Sequence, residues 1–214
     1  MTGNDKLISV IGNAYFQPIA TLVEALLQES APESDELKTT SREYGYSAAI
    51  CVLSVVSLES WAMRLRFFNQ THAAAQEHTA LEFLVKLHPA LPLQGELREV
   101  VVLRDILVHN HVWELDFSWD STYTRTVDQA ALAPGFGDRK YAACVDTATR
   151  TTRALGLNVV PLKVDRGDVT KVIRTVWAVF MYLEANDPNA RFLSHFALKF
   201  RSRKAYFKDV VAAL

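Results

Sequence analysis

Apolar side chains recur at helical spacing along most of this chain and switch to strict alternation in one stretch. Leu7, Ile11, Tyr15, Leu22 and Leu26 keep near-helical intervals and predict a first helix from Asp5 to Gln28, kinked at Pro18. The polar, proline-bearing segment from Glu29 to Thr40 reads as an exposed connection. From Ser41 to Asn69 the chain is apolar over most of its length, which predicts a helix at the centre of a bundle. A short helix is expected from Glu77 to Leu87, and Pro89 and Pro92 bracket a turn before a strong helix that opens at Gln94. After His111 the period falls to two. Trp113, Leu115, Phe117 and Trp119 alternate with polar residues, and a turn at Asp120-Ser121 followed by Thr122 to Val127 predicts a hairpin. Ala133 to Asp138 reads as a loop whose glycines lack the strand-to-helix setting of a phosphate-binding turn. Further helices are expected from Arg139 to Leu155, stopped by Gly156, from Gly167 to Ala185, and from Ala190 onward. The sum is an all-α helical bundle, one domain over residues 1–214, with a hairpin and loop insertion at about 113–160.

Composition narrows the class of function. Half of the 214 residues are apolar, which excludes a disordered chain, and the net charge of -1 excludes a globally basic nucleic-acid coat. Any nucleic-acid site must be a local patch. Cys51 lies in an apolar helical run and reads as a small core residue, while Cys144 is far from it in sequence. There is no Cys/His metal spacing, no secretory leader and no apolar run long enough to span a bilayer. The expectation is a cytoplasmic protein with no membrane partner, no metal and no cofactor.

The chemistry concentrates in Gln94–Trp113, QGELREVVVLRDILVHNHVW. On a helix, Arg104 has only Val100, Val101, Leu107 and Val108 at i±3 and i±4. Burying an arginine there is expensive unless its charge is paired or used. Asp105 precedes His109 by one turn, a spacing that lets a carboxylate orient an imidazole. His111 returns to within roughly 20° of Arg104's azimuth. Glu59 is the matching anomaly on the preceding long helix, flanked by Val55, Val56, Ala62 and Met63, and is the natural partner for Arg104. Arg64 and Arg66 read as a solvated face, and His72, His78 and His88 as ordinary loop histidines.

The run from Arg104 to His111, RDILVHNH, resembles the signature of HEPN-superfamily domains, small helical bundles common in prokaryotic toxins and defence systems. That signature is an arginine, a polar residue, and a histidine after four to six intervening positions. Here Arg104 to His109 leaves four, Arg104 to His111 leaves six, and Asp105 fills the polar slot. An acidic residue on the preceding helix, here Glu59, belongs to the resemblance too. The resemblance implies metal-independent endoribonuclease activity at the cleft of a homodimer, with RNA as substrate and an antitoxin or defence-system protein as possible partner. The 2′-hydroxyl would attack the adjacent phosphorus, Arg104 would stabilise the phosphoryl charge, His109 would move protons, and Asp105 would orient it. His111 is the alternative histidine, and Glu59 and Asn110 are supporting residues. In one toxin branch a modifiable tyrosine sits two positions after the histidine; here that slot holds His111, which speaks against that mode of silencing.

The predicted last helix interleaves Phe192, Phe196, Phe200 and Phe207 with Arg191, Lys199, Arg201, Arg203, Lys204 and Lys208. It reads as an amphipathic packing helix, with Arg201, Arg203 and Lys204 as candidate RNA contacts on its basic side. Two alternatives to the ribonuclease stay open: a catalytically silent HEPN-like module that binds protein or nucleotide, and an unrelated bundle in which Arg104 and Glu59 form a structural ion pair. A ribonuclease needs Arg104 and a motif histidine opening into one cleft; a structural pair would be sealed in the core.

Overall fold

The computed structural model describes residues 12–29, 36–38, 42–109, 113–119, 124–132, 139–191 and 193–214. Its first helix, α1 (Phe16–Gln28), follows a 3-10 turn at Gly12–Tyr15; the predicted start at Asp5 lies outside the described residues. Pro18 falls in the first turn of α1, where its missing N–H has no helical partner to lose, so it does not act as a kink inside a longer helix. The connection then contributes a short strand, β1 (Glu36–Lys38), where only exposed coil was expected.

The long central helix, α2 (Arg42–Phe68), lies against α1 and carries buried Ile50, Cys51, Val55, Leu58, Trp61 and Leu65. By length and composition α2 is long and apolar enough to cross a membrane, which corrects the reading that no such run exists; half of its most apolar window is buried in this bundle. Next comes α3 (Ala80–Leu87), started by a reciprocal cap in which Thr79 accepts from the Glu82 amide and Glu82 accepts from that of Thr79. The motif helix, α4 (Gln94–His109), packs on α2 through Leu97, Val100 and Leu103.

The alternating stretch forms β2 (Trp113–Trp119) and β3 (Thr124–Leu132), a longer hairpin than predicted. It gains β1 as a third antiparallel strand, in the order β1-β3-β2. The helix expected from Arg139 to Leu155 is much shorter. It is α5 (Arg139–Cys144), after which the chain folds into the small pair β4 (Val145–Asp146) and β5 (Thr151–Thr152). The reason is tertiary. Buried Glu99 on α4 accepts from the backbone amides of Ala154 at 2.7 Å and Leu155 at 2.8 Å, a clamp that those N–H groups could not join from within a helix. A small apolar cluster of Val102, Ile106, Tyr141, Val145 and Val159 completes the seat of this segment on α4.

Helix α6 (Arg166–Asn186) matches its predicted stripe, with Val169, Val172, Ile173, Val176, Phe180 and Leu183 all buried. Its start is fixed by a capping box between Asp165 and Asp168, and Asn158 donates to Asp168 from its backbone and its amide. The predicted basic C-terminal helix is overturned. The middle of that stretch is a hairpin, β6 (Ala197–Phe200) and β7 (Arg203–Tyr206), followed by a short α7 (Phe207–Ala212). Leu198 and Phe200 point into the core while Ala197 and Lys199 point out, so the operative period here is two. α-Helices thus predominate among the described residues, with three small antiparallel sheets around the bundle.

Candidate functional site

Arg104 sits about one and a half turns before the end of α4 with one-fifth of its side chain exposed, at the border between buried Leu103 and Ile106 and exposed Val108. Its guanidinium reaches across to α2 and donates from Nη2 to Glu59 Oε1, the partner expected from the two apolar-flanked charges. Nη1 lies 3.2 Å from Asp105 Oδ1. The buried Nε has no hydrogen-bond partner. Glu59 is one-third exposed, and its carboxyl is held above the usual carboxylate range. Partial burial is the main cause; Arg104 pulls the other way and the neighbouring Asp105 adds to the rise.

This pair opens into a cleft of about 950 Å³ between α2, α3, α4 and α5. Its floor is apolar, from Val55, Leu58, Leu84, Leu97 and Val101, and its walls carry charge. Arg66 comes from α2, Lys86 from α3, Arg98 and Arg104 from α4, and Arg139 and Lys140 from α5. Glu59, Glu77, Glu82 and Asp105 are the acids among the lining residues. Some of these charges are already engaged: Lys86 Nζ is 2.5 Å from Glu77, and Glu82 is held below the usual range chiefly by its hydrogen bonds from Thr79. Arg66 is not the solvated charge that the sequence predicts. It donates to the Thr79 carbonyl at 3.1 Å and lies over the Phe83 ring, because a planar guanidinium can satisfy a carbonyl and stack at once.

The motif histidine His109 behaves differently from expectation. His109 is exposed at the last residue of α4, has no hydrogen-bond partner among the described residues, and does not line the Arg104 cleft. Asp105 is turned to Arg104 and does not orient His109. The last turn stays α-helical to His109, so no loosening swings that imidazole toward the arginine; five residues on, it stands about 140° around the helix. Asn110 and His111 lie outside the described residues. The histidine that lines Arg104's cleft is His78, set aside in the sequence as a loop residue and held there by the capped start of α3. Arg98, Arg139 and Lys140 were missed as well, because nothing in the local pattern shows that α5 closes over α4.

Arg201, Arg203 and Lys204 do not join this cleft; they are exposed on the β6–β7 hairpin. Among the described residues no three His, Cys, Asp or Glu side chains are grouped so as to hold a metal ion. No protein-family model, curated protein or solved structure matches this chain.

Proposed function

We propose that the chain is a HEPN-like endoribonuclease whose Arg104 receives the scissile phosphate in the cleft between α2, α3, α4 and α5. The observation that carries the reading is the setting of Arg104. It lies on the wall of an open, cation-lined cleft, not sealed in the core, and two carboxylates hold its fork of donors in place. Such a fork suits a phosphoryl group whose negative charge grows toward the transition state. The reaction joins the 2′-oxygen to phosphorus, breaks the bond to the 5′-oxygen, and leaves a cyclic phosphate. A base takes the 2′-hydroxyl proton and an acid supplies one to the leaving oxygen.

His109 is the proton-transfer residue of this proposal. Because it faces away from Arg104's cleft within one chain, it would act on RNA held by a second copy, so the active species is a C₂ homodimer. The silent-module alternative draws on one observation: both Nη groups of Arg104 are occupied by carboxylates. Incubation of the purified protein with total RNA, with and without EDTA and beside Arg104→Ala, separates the two. EDTA-resistant cleavage that disappears in Arg104→Ala is expected, together with a dimer in light scattering at micromolar concentration. Intact RNA with a folded wild-type dimer would leave a binding module; intact RNA with a monomer would leave a structural ion pair.

A further inference from the structure

The β6–β7 hairpin tip, Lys199-Phe200-Arg201-Ser202-Arg203-Lys204, makes two local choices that a purely structural turn would avoid. Its central residues, Arg201 and Ser202, have φ of +51° and +62°. A two-residue hairpin turn of this kind is normally built from Asn-Gly or Asp-Gly, because a side chain with a Cβ is strained in that region. In addition, Lys199 and Lys204 stand directly opposite one another in the ladder. Like charges at paired positions repel. Around them Arg201 and Arg203 are also exposed, and none of the four cations has an acidic side-chain partner among the described residues.

The tip is nevertheless held firmly. Gln17 on α1 donates to the Lys199 carbonyl at 3.0 Å and accepts from the Lys199 amide at 2.7 Å. Glu24, two turns further along the same face of α1, accepts from the Arg201 amide; it is the acid that faces the turn. Leu198, Phe200 and Ala205 anchor the hairpin in the core, and Arg201 lies 5.3 Å from the Phe200 ring centroid. Lys199 and Lys204 share the outward face of the ladder, Arg203 is paired with Phe200 on the other face and Arg201 occupies the turn, so an anionic chain that wraps the tip meets all four charges and offsets the repulsion of the paired lysines.

We propose that this tip is a second nucleic-acid contact, a prong that binds the backbone of single-stranded RNA apart from the Arg104 cleft. The inference does not depend on cleavage. It is tested with a fluorescein-labelled 2′-O-methyl oligouridylate, which lacks the attacking hydroxyl and cannot be cut by the proposed route. Fluorescence anisotropy over a salt series should show binding by the wild type. Replacing Arg203 and Lys204 together by alanine should weaken binding at least tenfold. It should also lower the slope of log affinity against log salt by about 1.4, given about 0.7 per phosphate contact on a single strand. The pair Arg201→Asn with Ser202→Gly should raise the thermal midpoint while weakening binding, since it removes strain and one cation together. Unchanged affinity and slope in both folded variants would overturn the proposal. So would a wild type that ignores the oligonucleotide but binds vesicles of phosphatidylserine and phosphatidylcholine. Absence of RNA cleavage by the wild type would instead count against the cleft reading and leave this result untouched.

Discussion

Removing Glu59 tests how much of Arg104's environment is stability and how much is preparation for a ligand. The sequence, which places both charges among apolar neighbours, predicts a buried pair whose disruption costs about 3 to 5 kcal/mol. The structure resizes that figure. Glu59 is one-third and Arg104 one-fifth exposed, and Arg104 keeps Asp105 at 3.2 Å when Glu59 is gone. A partly solvated pair with a second acid at hand is worth about 1 kcal/mol. For a chain of this size Glu59→Ala should therefore lower the thermal midpoint by about 2 to 4 °C. The pH dependence gives an independent sign. Glu59's carboxyl is raised by burial, so the folded state holds its proton more tightly than the unfolded chain does. The resulting stability is present below the ordinary glutamate pKa, about 4.3, and is lost as pH rises through the raised folded value. The advantage of wild type over Glu59→Gln should accordingly shrink from acid toward neutral pH. Calorimetric scans of the three proteins across that range decide the matter. A fall of more than about 10 °C for Glu59→Ala would mean the pair is effectively dry, at the about 3 to 5 kcal/mol of a buried one. An advantage that grows with pH would mean Arg104's attraction exceeds the cost of burial.

Glu99→Ala leaves the part-buried amides of Ala154 and Leu155 without their acceptor and should cost about 1 to 3 kcal/mol, read as a shift in the urea midpoint; a change within error would show that both amides find other acceptors. Under single-turnover conditions His109→Ala should lower RNA cleavage by at least about 10²-fold with folding and dimerisation intact, while His111→Ala and His78→Ala lose less. A dead His78→Ala beside an active His109→Ala would move the proton transfer into Arg104's own cleft. Mixing Arg104→Ala with His109→Ala protomers should restore activity, since one composite site then holds an intact arginine and an intact histidine; no restoration would mean that both act within one chain.

What the sequence shows of this fold is set by the reach of each signal. Helices α2, α4 and α6 were legible because their apolar pattern runs for several turns. The segment after Cys144 was not, because Glu99 captures two of its amides from a helix far away in sequence. The C-terminal stretch failed for another reason. Phe196 and Phe200 stand four apart, as on a helix, while Leu198 and Phe200 stand two apart, as on a strand, and so short a run satisfies both periods. The turn that would arbitrate is Arg201-Ser202, which carries neither asparagine nor glycine to announce it.

The site divides along the same line. Arg104 and Glu59 were readable as partners because each is an isolated charge among apolar neighbours, and two such anomalies on adjacent helices have few other ways to be satisfied. Whether the arginine is available was not readable. Asp105 is its sequence neighbour and moves with it, so this carboxylate travels with the fork toward any phosphate. Glu59 belongs to a different helix, and its burial already favours the uncharged form. A phosphate bound as proposed would therefore compete chiefly with Glu59, the more readily displaced of the two. The packing of α2 on α4, and not the motif on α4 alone, sets how freely Arg104 can engage a ligand. That is why a motif confined to α4 marks the cleft without telling an active domain from a silent one.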